Sequence, residues 1–577
     1  MGKYKQTRCL LKTVLNHSCR KICFCAQDFM IHLIKRFQFS RSEVCLKWIL
    51  LDPLIGCWLL NPDKSFYFFS DVTASLGLKE SSALKDEPTQ TKLSSLPQAL
   101  DKLSLCAKLL YQKLEEAGLW RLFLDIEMKL VSILSVMETR GICTNRKKLQ
   151  EMQNILHEHL ENLQEQAYKE AGKKFQMNSP QQLRNILYEE LQLDQKSNTK
   201  VRETAKLGQK STSEHMLSLL KPWHPLPGTV LQYRHLQKTK STFIDGVLQQ
   251  VVEGKVFPSW GQHCAATGRI TSSNPNLQAI PKQPVALKIL PYEVHRRDKI
   301  LLLRSPYHTR DGYTLLSADF QHIELRMLAH LSKDPLLKEI LQKPDDVFTS
   351  MSRIWLGKTQ GEIETEDREK TKRIVYAVMY GAGPAKLAEF LNINHSEASS
   401  IFNTFLAASP RFMFNLLGSD PDELAPFLNV VGDEMSVMHP CTTFAAAHFP
   451  AIKRFSNAVV KECQAKECLH TITGRHRLFP NISSSNNGLK SYTERQAVNF
   501  LMQGSAADIC KCAMIRTELE FLKHPELDVH LLIQIHDELV WEVKDENFDT
   551  ITFQAKTKLA DFAKILGSVL PSDNYIN

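Results

Sequence analysis

Leu315–Arg326 has the sequence L-L-S-A-D-F-Q-H-I-E-L-R, an apolar run that delivers one carboxylate, Asp319, and then changes period. Leu315 to Phe320 has the pattern of a buried strand, and I-E-L-R-M-L-A-H-L spaces its apolar residues for a helix starting near Ile323. An acid at such a junction can hold a cation, helped by the backbone carbonyl of Phe320. It can equally be a helix N-cap with no chemistry. Two further acids, Asp537 and Glu538, sit inside V-H-L-L-I-Q-I-H-D-E-L-V-W-E-V, where Val529–Ile535 and Leu539–Val543 form two short apolar strands. A tight hairpin there puts Asp537 at its tip, in reach of Asp319 on a neighbouring strand. Carboxylates that close repel unless a divalent cation lies between them.

Between these stretches runs R-E-K-T-K-R-I-V-Y-A-V-M-Y-G, residues 368–381. Arg368, Lys372, Tyr376 and Tyr380 recur every four residues and so share one helical face. Two cations followed by two rings make a graded surface, charges for a triphosphate and rings for a sugar and base. Another helical stretch, from Glu494 to Lys511, spaces Arg495, Asn499 and Gln503 by four. Such positions ordinarily face water, yet the same side chains can donate to minor-groove acceptors. T-G-R-I-T-S-S-N-P-N-L-Q-A-I-P, residues 267–281, is rich in turn formers and can present Arg269, Asn276 and Gln278 to sugars and base edges. Together the stretches suggest a site that moves phosphate on two metals.

The remainder bounds the class. At 577 residues, 43% hydrophobic and 23% charged, the chain predicts a globular protein of several domains. A net charge of +9 hints at a polyanionic partner. Fourteen cysteines include no C-x-x-C pair, so reduced thiols are expected and not a zinc or disulfide framework. The apolar stretch Cys45 to Leu60 is broken by Lys47, Asp52 and Pro53, which argues against a membrane span. It reads instead as a strand pair in a core, with F-Y-F-F at 66–69 strand-like as well.

Residues 1–41 hold nine Lys or Arg and one acid, Asp28, a composition shared by mitochondrial presequences and exposed basic arms. The D-I-E at 125–127 opens a packed helical pattern, and its carboxylates are expected to be solvated or capping. From 118 to 255 the pattern is long and helical, with Gly141 as a stop, Ser179 and Pro180 starting one helix, and Thr212-S-E-H starting another.

Five ordered segments resemble the family A DNA polymerases over residues 118 to 545. D-F-Q-H-I-E-L-R is similar to that family's motif A, the 368–381 run to motif B and Q-I-H-D-E-L to motif C. The segments T-G-R-I-T-S-S-N-P-N-L-Q-A-I-P and Q-A-V-N-F-L-M-Q-G-S-A-A-D match as well. D-D-V-F at 345–348 and E-R-Q-A-V-N-F-L-M-Q-G-S-A-A-D most resemble the nu-type branch found in vertebrates. The fold implied is α+β, a right hand of thumb, palm and fingers with a degenerate, truncated exonuclease-like part at 1–117. The thumb falls at 118–255, the first palm part at 256–340 and the fingers at 341–490 with an atypical insertion near 406–448. The second palm part falls at 491–577, its C-terminus shorter than is usual in the family.

The resemblance also implies template-directed DNA synthesis on a primer 3′ end. Asp319, the Phe320 carbonyl and Asp537 would hold two Mg²⁺ ions, with Glu538 assisting. Arg368 and Lys372 bind the triphosphate, Tyr376, Tyr380 and His322 shape the dNTP pocket, and Glu324 excludes ribonucleotides. Arg269, Asn276, Gln278, Arg495, Asn499, Gln503 and His536 contact primer-template DNA. An early Asp-x-Glu pair for a metal-dependent exonuclease is missing from 1–117, so no proofreading is expected.

Two departures matter. Gln321-His322 stands where relatives carry Ser-Gln, and Arg373 adds a cation beside Lys372, which suggests low-fidelity repair or translesion synthesis. The implied setting is a monomer in the nucleus, or alternatively the mitochondrion, working with DNA-repair proteins or a helicase and no membrane. The rival reading is an impaired variant serving as a DNA-binding or partner-binding scaffold.

Overall fold

Apolar stripes and capping side chains account for most of the helices. In the helix Arg146–Ala171 the buried residues are Leu149, Met152, Leu156, Leu160, Leu163 and Ala167, a single stripe. It starts where the Asn145 side chain accepts from the amide of Lys148 at 3.0 Å and ends at Gly172, whose φ of 70° supplies the left-handed stop. Ser179 caps Pro180–Arg184 as expected, accepting from Gln182 at 3.4 Å. Ser213 precedes the helix Glu214–Leu220.

The computed structural model describes residues 2–78, 96–197, 209–287, 299–391, 393–406 and 450–555. The chain forms two compact units, Arg140–Ser259 with Ser272–Leu315, and Met1–Thr139 with Trp260–Thr271 and Leu316–Asn577. The insertion expected near 406–448 lies almost wholly outside the described residues, as does the chain end from 556.

The first of these units is largely helical. Arg146–Ala171 lies against Pro225–Thr239, which buries Leu226, Val230, Tyr233 and Leu236. Beside them Ile142–Thr144 is the central strand of three, paired antiparallel with Lys255–Val256 and Tyr307–His308. Gly141 leads into that strand at φ 64°, and a Cβ there would stand 2.7 Å from the carbonyl oxygen of Val256.

The larger unit corrects three expectations. Cys45 to Leu60 is not a strand pair. Only Leu50–Leu51 pairs as a strand, in parallel with Lys21–Ile22, and Pro53–Leu60 is a helix buried from Pro53 to Leu59. An unbroken apolar run has no periodicity to separate helix from strand, so the decision rested on Asp52 and Pro53. The Asp52 carboxylate accepts from Leu54 at 3.0 Å and from Ala26 at 2.8 Å, at once a cap and a tie to the earlier helix Ala26–Phe37. F-Y-F-F forms no strand either, because Asp71 accepts from the amides of Tyr67 and Phe68 at 2.9 Å and starts the helix Phe69–Ser75.

The third correction is Glu127, which is neither solvated nor capping but fully buried. Arg475 donates to it, and Lys511 donates to its two oxygens at 2.8 and 3.0 Å. Arg475 also grips Asp508 at 2.8 and 2.9 Å, and Thr471 adds a bond to the same carboxylate at 2.6 Å. Burial pushes Glu127 up, but the two cations outweigh it and hold the carboxyl below its ordinary value.

The functional part of this unit is a three-stranded sheet in the order Tyr313–Asp319, Glu538–Lys544, Val529–Ile535. The last two strands form an antiparallel hairpin with Ile535 opposite Glu538. Trp541 is fully buried against Phe521, the last residue of the long helix Asn487–Phe521, with ring centroids 6.3 Å apart. The helices Ile323–Ser332 and Thr365–Met379 complete the frame. Among the described residues no helix is long and apolar enough to cross a membrane.

Candidate active site

Asp319 ends its strand exposed, and Asp537 occupies the hairpin tip just after His536, whose φ is 53°. The amide of Phe320 donates to the carbonyl of Asp537 at 3.0 Å, which stitches the strand end to the tip. The two acids expected to meet therefore do. Glu324, on the first turn of the following helix, joins them and is 5% exposed. Burial, then the charges of Glu324 and Asp319, push the Asp537 carboxyl up to about 7, with Arg269 pulling the other way. Three acids converging on one spot favour a cation there.

Glu324 is itself held. Arg269 and the Tyr380 hydroxyl each donate to it, one to each carboxylate oxygen. Gln503 from the long helix bonds the same tyrosine hydroxyl. Tyr380 follows directly on the helix Thr365–Met379, four residues beyond Tyr376, and their ring centroids lie 6.1 Å apart. Burial and the charges of Glu324, Asp537 and Asp319 push Tyr376 up to about 12, so its hydroxyl keeps its proton and faces the acidic cluster.

Local chemistry explains the approach to this spot. Gln321 and His322 both adopt left-handed conformations, φ 47° and 65°, costly for residues with side chains. The amide of Gln321 donates to Asp319 at 2.6 Å and its carbonyl accepts from Arg326 at 2.8 Å, which together hold the bend. The His322 ring packs edge-on to Phe348 at 4.9 Å, and burial lowers its pKa, so it is neutral.

Phe348 was not singled out by the sequence as a site residue, although it belongs to the quoted D-D-V-F. It continues the aromatic row, 5.9 Å from Tyr376, and both cations of the helix approach its ring, Arg368 at 5.7 Å and Lys372 at 5.8 Å. Asp346, also unforeseen, takes Arg368 in a two-point ion pair at 2.9 and 3.0 Å while capping the helix Val347–Leu356. Its own burial works against it, yet Arg368 and Thr349 hold the Asp346 carboxyl down to about 2. Asp is an ordinary N-cap before a helical run, so the local signal for Asp346 was a cap and nothing more.

The other expected residues divide. Arg495 is exposed and its stem packs on Gly381, where a Cβ would stand 3.1 Å from Arg495 Cγ and the φ of 71° would strain any other residue. Asn499, half-buried on the same helix, has an oxygen with no partner among the described residues. His536 is exposed at the hairpin tip. Glu538 sits at the start of its strand and accepts from the hydroxyl of Ser317. Asn276 and Gln278 belong to the other unit and serve their own loop: Asn276 accepts from Ala279 at 3.1 Å, and Gln278 from Ser272 at 3.0 Å.

The buried charge cluster supports this site from behind. Gly268 has φ 78°, and a Cβ on it would stand 2.7 Å from Arg475 Nε, so the loop bearing Arg269 is pressed onto that arginine. Gln262 of the same loop donates to Glu127 at 2.7 Å. Glu127, Asp508 and Lys511 escaped the sequence reading because each lies on a helix face whose ordinary neighbour is water.

The sequence matches the profile of DNA polymerase family A over residues 146–414 and 429–569. It is 30% identical over 542 residues to DNA polymerase I of Bacillus caldotenax, covering 89% of this chain and 54% of that protein. It is 30% identical over 440 residues to the thermostable DNA polymerase I of Thermus filiformis, covering 76% and 45%. The chain thus spans about half the length of these relatives. Its fold is similar to that of the polymerase domain of Pol1 from M. smegmatis, solved with DNA primer-template and dNTP. The TM-score is 0.77 at 24% identity, covering 96% of this chain and 85% of that one.

Proposed function

Because the chain belongs to DNA polymerase family A, we propose that it is a template-directed DNA polymerase, extending a primer 3′ end by phosphoryl transfer. The observation that carries this reading is the meeting of Asp319, Asp537 and Glu324 beside a helix that presents Arg368, Lys372, Tyr376 and Tyr380. All the acidic donors are oxygens, a set that suits Mg²⁺, and a carboxyl pushed up to about 7 at Asp537 signals a place where a cation replaces a proton. Asp319, Asp537 and the Phe320 carbonyl are the groups that would hold two Mg²⁺ ions, and such ions would supply Lewis acidity for phosphoryl transfer.

The chain's own residues do the rest. Lys372 neutralises the triphosphate, and Arg368 joins it by exchanging Asp346 for phosphate oxygens. Tyr376 and Tyr380 wall the sugar and base, with His322 beside them. Glu324, fixed by Arg269 and Tyr380, fills the space a 2′-hydroxyl needs and so excludes ribonucleotides. Arg269, Arg495, Asn499 and Gln503 would meet the duplex and His536 the primer end, and Asn276 and Gln278 are assigned to the DNA by the resemblance alone. Glu538, accepting from Ser317, ties the hairpin beside Asp537 to the strand that carries Asp319. Primer-template and dNTP as ligands accord with the pair bound by the M. smegmatis domain.

The finer reading is a nu-type enzyme, a monomer without proofreading that performs low-fidelity repair or translesion synthesis in the nucleus with repair partners. The exposed Arg373 beside Lys372 supports low fidelity, and 1–117 offers no Asp-x-Glu pair. Thumb, palm and fingers follow the boundaries given above.

Single-nucleotide extension of a primed template with Mg²⁺, run beside Asp537→Ala, tests the reading. Templated extension by the parent and its loss in the variant are expected, a drop of at least about a hundredfold. A folded chain that binds primer-template without extending it overturns the proposal in favour of a scaffold.

A further inference from the structure

One group of side chains stands apart from the polymerase chemistry. The hairpin Cys468–His470 and His476–Leu478 pairs Cys468 with Leu478, Leu469 with Arg477 and His470 with His476. Alternation along the strands puts Cys468, His470, His476 and Leu478 on one face. Leu469, on the other face, is 2% exposed in a core with Cys463, Phe479 and Phe500. The outward face is thus a chemistry-bearing one, and its thiol and imidazole ligand atoms lie within 4.8 Å of one another.

We propose that Cys468, His470 and His476 form a binding site for a zinc ion. Zinc takes thiolate and imidazole at about 2.0–2.3 Å in tetrahedral geometry, which sets ligand atoms about 3.5 Å apart. His470 is exposed and can swing to make the small closure required. His476 is already oriented: its Nε2 lies 3.2 Å from the carbonyl oxygen of Leu60 and donates to it, which leaves Nδ1 with the free lone pair. An imidazole fixed through its other nitrogen by a backbone carbonyl is the arrangement that tunes metal-bound histidines.

On binding, zinc accepts the sulfur lone pair of Cys468 and one lone pair from each imidazole, and the thiol proton leaves to solvent. No electron changes hands. The fourth position stays open to water. The hairpin is joined at its turn by Thr471 and Arg475 of the buried charge cluster, and Arg477 pairs with Asp63 at 2.6 and 2.9 Å. The ion would therefore tighten the segment that fastens the N-terminal helices to the catalytic body, without touching any residue of the proposed active site.

The test uses the full chain stripped by chelator, then titrated with Co²⁺ in excess Mg²⁺. One equivalent should give a thiolate-to-cobalt charge-transfer band that Zn²⁺ bleaches, and carboxylates of the active site cannot produce such a band. Cys468→Ser and His470→Ala should each abolish it with circular dichroism unchanged. Absence of the band in the parent chain, or its survival in either variant, overturns the proposal. Zn²⁺ should also raise the thermal midpoint of the parent and not of His470→Ala. Equal shifts in both would overturn the link to stability.

Discussion

Removing Glu127 strands the buried Lys511 and leaves Arg475 with Asp508 alone, each cation about 1% exposed. Breaking a buried ion cluster by deleting one member costs about 3–5 kcal/mol, because the partners keep their charge and lose their compensation. Glu127→Ala should lower the denaturant midpoint accordingly with little change in slope, as read by fluorescence unfolding. Asp52 predicts a pH dependence. Burial raises its carboxyl from 3.8 to about 7 against the pull of three backbone amides. A raised acid binds its proton more tightly folded than unfolded, so its contribution to stability is present at low pH and is lost as pH climbs from 3.8 to about 7. Above that window the loss is complete. Thermal midpoints of the parent and of Asp52→Asn, followed across this range, should show the decline in the parent and a flatter profile in the variant.

Elements were legible wherever their period was clear. The helix from Ile323, the helix bearing Arg368 to Tyr376 and the hairpin around Asp537 lie where the pattern puts them, and so does the strand ending at Asp319, although it is not buried as its apolar run suggested: Leu315 is 43% exposed. Of the two elements misread, Pro53–Leu60 is apolar on every side, so it carries no period at all. Gly141 shows how one element boundary depends on a missing side chain. At φ 64°, with Val256 and Phe257 crowding any Cβ, Gly141→Ala should cost about 2–4 kcal/mol from left-handed strain and overpacking together. Chemical denaturation of the variant checks this, and a cost under about 0.5 kcal/mol would show that the strand start adjusts freely.

For the whole molecule, the net charge of +9 matters through its placement. If Arg495 and its neighbours meet phosphate, primer-template binding should weaken linearly in log salt, each phosphate contact contributing about −0.9 to the slope. Fluorescence anisotropy over a KCl series should give a slope for Arg495→Ala that is shallower by about one. An unchanged slope would remove that residue from the DNA-binding surface.

By itself the sequence determined the strands and helices that carry Asp319, Asp537, Lys372 and the two tyrosines, because period and spacing are local properties of the chain. Through the resemblance to family A motifs it also led to the expectation that two acids far apart in number meet, and Asp319 and Asp537 do lie together. Only the tertiary structure decided the partners. Glu127 with Arg475 and Lys511, Arg368 with Asp346, Glu324 between Arg269 and Tyr380, and Phe348 under two cations are pairings between segments that no local pattern relates. A charge looks solvated in a sequence because its default partner is water, and only packing reveals which other charge has replaced it.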